Sequence, residues 1–149
     1  MTDSARVLFA AAVLSLSAFA AFGWRVSRAD PTQPERLIGE LRLAQWAAVL
    51  LSATGAASMG FAAAQATIPL GTIDVTIAIL YVLLAGFVLL REPRAGLLVA
   101  ALGFLAHALI DLAHRPGWLS PELVPRWYVA GSSIWDLAMS SVCLWARRR

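Results

Sequence analysis

The sequence predicts an all-α fold: an integral membrane bundle of about five transmembrane helices, one domain over residues 1–149, with the N-terminus outside and the C-terminus inside. Three observations carry this. The 149 residues are 60% hydrophobic and 14% charged, with a mean hydropathy of +0.72, too apolar for a water-soluble domain of that length. The apolar residues gather into runs of about 20, the length that crosses a bilayer. The arginines crowd into alternate connections between those runs, as the positive-inside rule requires of a polytopic chain.

The runs cover about 7–24, 43–66, 68–90, 95–113 and 127–146. The first also has features of a cleaved signal peptide, with Arg6 before it and Ala18-Phe19-Ala20 as small residues before a cut. The heavier positive charge after the run, Arg25 and Arg28, favours an uncleaved helix entering N-out. Thr32-Gln33-Pro34-Glu35 then has the spacing of a capping box, and a short interfacial helix carrying Leu37, Ile38 and Leu41 is expected to lead into the second span. Within that span Ser52, Ala56, Gly60 and Ala64 recur every four residues, a small-residue stripe that lets another backbone approach. Packing inside the bundle is expected for it, with a second copy or a membrane-complex partner as the alternative.

Pro69 suits the first turn of the third helix and Pro93 that of the fourth, because the missing N–H has no intrahelical partner there. Pro116, Pro121 and Pro125 exclude a regular helix between runs four and five. Trp24, Trp46 and Trp145 mark inner ends and Trp118, Trp127 and Tyr128 outer ends, as interfacial belts do. Trp135 falls mid-helix, where its indole N–H needs a partner.

Arg6, Arg115 and Arg126 lie on one side of this topology. Arg25, Arg28, Arg36, Arg42, Arg91, Arg94, Arg147, Arg148 and Arg149 lie on the other. The richer side is cytoplasmic, which implies a multi-pass protein of a plasma (inner) membrane and accounts for the pI near 10. The lipid bilayer is the first partner implied. Nucleic acid is not, because three arginines after a helix end form a topology anchor without a base-stacking surface. The chain has no phosphate-binding glycine loop and no Gly-x-Ser-x-Gly elbow. Its single cysteine, Cys143, excludes an intrachain disulfide and suits a small packing position.

Chemistry is expected where ionisable residues fall inside apolar runs, since such groups are costly there and mark function by default. His107, Asp111 and His114 are spaced by four and three on the fourth helix and share a face. Asp74 on the third helix and Asp136 on the fifth are the other intramembrane acids. Helix rise puts Asp74 and His107 about 10 Å below the outer ends, Asp136 about 13 Å, and Asp111 and His114 near the surface. All five therefore belong to the outer half of the bundle.

Imidazole and carboxylate suit zinc or iron. One ion can use His107, Asp111, Asp74 and Asp136; His114 stands about 10 Å from His107 along the helix, too far to share it. Alternatively Asp111 bridges two ions, one per histidine. A purely structural polar network and a proton or ion pathway are the competing readings. Haem is disfavoured, because no histidine on another helix offers a second axial ligand. Tyr81, two turns from Asp74 on the same face, is either core or an inward extension of the polar path.

At these residues the chain resembles a family of small uncharacterised bacterial polytopic membrane proteins. There a His-x-x-x-Asp-x-x-His-His stretch ends one helix and Gly-Cys-x-x-Cys-Asp opens the last. His107, Asp111 and His114 match the first motif, with Arg115 in place of its final histidine. Gly131 and Asp136 match the second, with Ser132 and Trp135 in place of the cysteines. The resemblance covers about the last third of the chain and implies no established activity, and the two motif cysteines on which a thiolate role would rest are replaced here.

Two functional expectations follow. The first is a metal-binding membrane protein acting on a lipid-like substrate, with an acid not bound to metal as base. The second is a noncatalytic helical subunit or small transporter whose acids and histidines pass protons or ions or hold an assembly together.

Overall fold

The computed structural model describes residues 3–64, 71–114 and 125–148, without the side chains at positions 4, 62, 71, 72 and 74. Among the described residues all regular structure is helical: α1 Asp3–Ser27, α2 Pro34–Ala64, α3 Gly71–Leu89, α4 Pro93–Ala113 and α5 Arg126–Arg148. Ala5–Ser27 and Pro93–Ala113 are long and apolar enough to cross a membrane, and Val75–Leu89 is a shorter apolar helix. Pro93 opens α4 in its first turn, as its sequence position predicts. Pro69, Pro116, Pro121, Arg115, Trp118 and Arg149 lie outside the described residues.

The α4 helix packs against α2, α3 and α5, while α1 lies against α5 and α2. Paired contacts fix the directions. Val26 meets Gly39, and Gly23 faces Leu43, so α1 and α2 run antiparallel. Ala44 meets Gly96 and Leu51 meets Gly103, so α2 and α4 run parallel. Ser140 Oγ donates to the Ala101 carbonyl at 2.9 Å and Asp136 lies beside His107, so α4 and α5 run antiparallel. Helices thus alternate in direction, and the start of α1 and the end of α5 lie at opposite ends of the bundle.

Close approach explains two glycines. A Cβ on Gly55 would stand 2.9 Å from the Ala78 carbonyl oxygen and from Tyr81 Cβ, and one on Gly103 would stand 2.9 Å from Leu84 and 3.1 Å from Leu51. These contacts let Leu43, Ala47, Leu51, Leu97, Phe104 and Met139 close into one core. The surface is apolar as well: Val7, Leu14, Leu83 and Ile134 are largely exposed, and Leu90 is 84% exposed.

Three expectations for α2 change. The interfacial helix and the second span are one continuous helix of 31 residues, about 46 Å long at the usual rise. No capping box forms: α2 begins at Pro34, so Gln33 and not Thr32 flanks its first turn, and the Thr32 hydroxyl and N–H instead both donate to Asp30 Oδ1, at 2.7 and 2.9 Å. These two bonds hold the Asp30 carboxyl below its ordinary range. The stripe at Ser52, Ala56, Gly60 and Ala64 does not pack inside the bundle: Ala56, Gly60 and Ala64 are exposed, and a Cβ on Gly60 would meet nothing within 4 Å. The packed face is instead Leu43, Ala44, Ala47, Ala48, Leu51, Thr54 and Gly55.

Arg36 is a buried clamp. Its Nη1 donates to the Val26 carbonyl at 2.9 Å and to that of Ala29 at 3.4 Å, placing a cation on the C-terminal carbonyls of α1 where the helix dipole favours it. Its Nε donates to Glu40 at 2.7 Å. Arg94, from the first turn of α4, donates to both Glu40 oxygens at 3.0 and 3.1 Å.

Candidate metal centre

The site forms where α4 meets α5, beneath the end of the bundle that holds the N-terminus of α1. His107 and Asp111 lie one turn apart on the face of α4 that carries Ala100, Gly103 and Phe104, so the helical period that builds the core also turns both polar groups inward. On α5 the buried face runs Val129, Ser133, Asp136, Met139, Ser140 and Cys143, which delivers Asp136 to the same level.

His107 is 1% exposed, Asp111 3% and Asp136 0%. His107 Nδ1 is 2.7 Å from Asp136 Oδ2 and 3.6 Å from Asp111 Oδ2. One ring nitrogen therefore faces two carboxylates. On the other side of the ring Nε2 lies 3.3 Å from Ser58 Oγ of α2. The Ser58 hydroxyl is also 3.3 Å from the Thr54 carbonyl, so it can accept from Nε2–H while donating to that carbonyl, or rotate and donate to a bare Nε2. Ser132, one turn before Asp136, donates to Asp136 Oδ2 at 3.3 Å.

Tyr81 of α3 sets its ring edge-on to His107 with centroids 5.1 Å apart. Its hydroxyl donates to the Gly103 carbonyl at 3.2 Å. Tyr81 thus acts as a wall of the site and ties α3 to α4.

Asp111 Oδ2 and Asp136 Oδ1 are buried and have no hydrogen-bond donor among the described residues. A nitrogen of His107 and one carboxylate oxygen from each acid lie within 4.8 Å of one another. Ligands 2.0–2.2 Å from a tetrahedral ion stand about 3.3 Å apart, and the 2.7 and 3.6 Å separations bracket that spacing. A divalent cation would neutralise both carboxylates and give the orphaned oxygens a partner. The donor set, one nitrogen and two oxygens, suits zinc or iron.

Of the five residues singled out in the sequence, the structure brings together His107, Asp111 and Asp136. Asp111, placed near the surface by helix rise alone, is buried with the other two. His114 is also buried, and its Nδ1 donates to the Ile110 carbonyl at 3.0 Å, one helical turn back on its own helix. Asp74 belongs to α3 by its backbone, and its side chain lies outside the described residues. Ser58 was not legible as a site residue, because nothing sets it apart from the other serines and threonines of α2, and Ser132 was marked only as standing in place of a motif cysteine.

No family model matches the chain, and no similar curated protein or solved structure is found.

Proposed function

We propose that the chain is a five-span inner-membrane protein, N-out and C-in, that holds one divalent ion, zinc or iron, between His107, Asp111 and Asp136 in the outer half of the bundle. The observation that carries the metal reading is the pair of orphaned, buried carboxylate oxygens around a histidine nitrogen that already faces both acids. Two carboxylates against one imidazole leave uncompensated negative charge in an apolar interior, which is expensive unless a cation or protons share the site. His107, Asp111 and Asp136 are also residues that carry the resemblance to the bacterial family.

The membrane reading rests on the apolar exterior, on the alternating helix directions, and on where the arginines stand. Arg25, Arg28, Arg36, Arg42, Arg91, Arg94, Arg147 and Arg148 occupy one end of the bundle, and Arg6 and Arg126 the other. The positive-inside rule makes the crowded end cytoplasmic. Labelling of single cysteines at positions 3 and 148 in a Cys143→Ala background tests this. Outside-only labelling at 3 and inside-only labelling at 148 is expected, and the reverse pattern rejects the orientation.

Protein purified in detergent without chelator should carry a stoichiometric transition metal by elemental analysis. His107→Ala, Asp111→Asn and Asp136→Asn should each lower it to background with helicity unchanged. Metal-free, folded wild type refutes the reading, and metal that survives all three substitutions places the ion elsewhere.

Three protein ligands leave a coordination position open, as catalytic ions do, and a lipid-like substrate arriving from the bilayer is the class such a buried position would admit. Cobalt-substituted protein should then change its visible spectrum on adding azide; an unresponsive spectrum means the position is filled.

The 2.7 Å contact between His107 and Asp136, with Ser58 beyond the ring, favours a second reading as a proton path. This predicts pH-driven flux in liposomes that Asp136→Asn abolishes in metal-free protein; flux equal to that of empty liposomes rejects it.

A further inference from the structure

Between α1 and α2 lies a cleft of about 280 Å³ lined by Ser15, Ala18, Phe19, Phe22, Trp46 and Leu50. It shares no lining residue with the His/Asp cluster and lies where α1 approaches its arginine-rich end. The Ser15 hydroxyl in its lining is occupied: it donates to the Ala12 carbonyl at 3.0 Å and accepts from the Trp135 indole nitrogen at 3.3 Å. The cleft therefore presents a mainly apolar wall, with the Trp46 indole in it, and its volume is below that of sites for drug-sized ligands. It runs about 10 Å along α1, from Ser15 to Phe22. A narrow apolar trough of that size suits one alkyl chain.

Its mouth is charged. On α1 the wall Ala18, Phe22 continues at helical spacing into Arg25, and on α2 the wall Leu50, Trp46 continues into Arg42. Both arginines are exposed. The two helices meet at Gly23 with Leu43 and at Val26 with Gly39, so Arg25 and Arg42 fall between these contacts at one level. Two guanidiniums at the open end of an alkyl-sized trough make an amphipathic site, apolar within and cationic at the mouth.

We propose that this cleft binds one acyl chain of an anionic phospholipid from the leaflet at the arginine-rich end, with the headgroup phosphate held by Arg25 and Arg42. The assignment rests on α1 and α2 spanning a bilayer. Planar guanidinium donors match phosphate oxygens in pairs, and juxtamembrane arginines draw anionic lipids to a protein surface.

Native mass spectrometry of delipidated protein titrated with phosphatidylglycerol or phosphatidylcholine tests it. Wild type should retain one phosphatidylglycerol in preference to phosphatidylcholine. Arg25→Gln with Arg42→Gln should weaken phosphatidylglycerol retention roughly ten-fold or more and erase the preference. Ala18→Trp, which fills the trough and leaves both arginines, should reduce retention of both lipids. Equal retention of the two lipids by wild type, or an unchanged preference in the double variant, overturns the headgroup assignment; unchanged retention in Ala18→Trp overturns the trough. Helicity by circular dichroism must match wild type in each variant. A wild-type protein that stays monodisperse without detergent would reject the membrane reading itself, an outcome separable from loss of lipid selectivity.

Discussion

Replacing Glu40 by Gln should destabilise the fold by about 3 kcal/mol, the lower end of what breaking a buried ion pair costs. Glu40 is 4% exposed and Arg36 3%. Arg36 keeps its bonds to the α1 carbonyls after the change, but its Nε loses a charged acceptor, and its Nη2 already lacks an acceptor among the described residues. At about 3 °C per kcal/mol for a chain of this size, the melting temperature in detergent should fall by roughly 10 °C. Arg94→Ala provides the contrast. The Arg94 side chain is 54% exposed, so its loss should cost below about 1 kcal/mol.

The same residue sets an acid limit. Burial pushes the Glu40 carboxyl up, but the Arg94 and Arg36 guanidiniums outweigh it and hold the group below its ordinary 4.5. A depressed folded value means that the stabilisation is complete above about pH 4.5 and is lost as pH falls through the lower folded value. Wild type and Glu40→Gln should therefore differ fully at neutral pH and converge in acid. Circular-dichroism melts at pH 7 and pH 3 read both effects. A Glu40→Gln melt within 2 °C of wild type at pH 7 would refute the buried-clamp reasoning.

Gly55→Ala should destabilise by about 1–3 kcal/mol through overpacking, because its Cβ meets a backbone carbonyl that cannot step aside. Gly60→Ala should leave the melting temperature unchanged or raise it slightly, through helix propensity; equal losses in the two variants would contradict the assigned α2 face. Tyr81→Phe should lose about 1 kcal/mol for the hydrogen bond to Gly103 while metal content persists; a metal-free but folded Tyr81→Phe would make the hydroxyl part of the site.

The helix number and the start of α4 were legible, because long apolar runs and Pro93 act locally. The grouping of His107 and Asp111 was legible too, since four-residue spacing fixes a shared face. Asp136 needed depth counting, which put it within one turn of His107. The packed face of α2 was not legible. A strict four-residue stripe drifts about 40° per step around a helix of 3.6 residues per turn, so Ser52 and Ala64 end on different faces. Arg36 read as a topology charge because its acceptors are carbonyls of another helix, to which composition is blind. Trp135 called for a partner in the sequence; its Nε1 donates to the Ala12 carbonyl at 3.0 Å, a backbone atom that no side-chain pattern announces.

The two acids around His107 differ in when they arrive. Asp111 follows His107 by four residues and comes on the same helix, 3.6 Å away; Asp136 follows by 29 and makes the tighter 2.7 Å contact. In chain order α4, with Asp111 already one turn from His107, is therefore complete before the α5 residue that makes the shorter contact is joined.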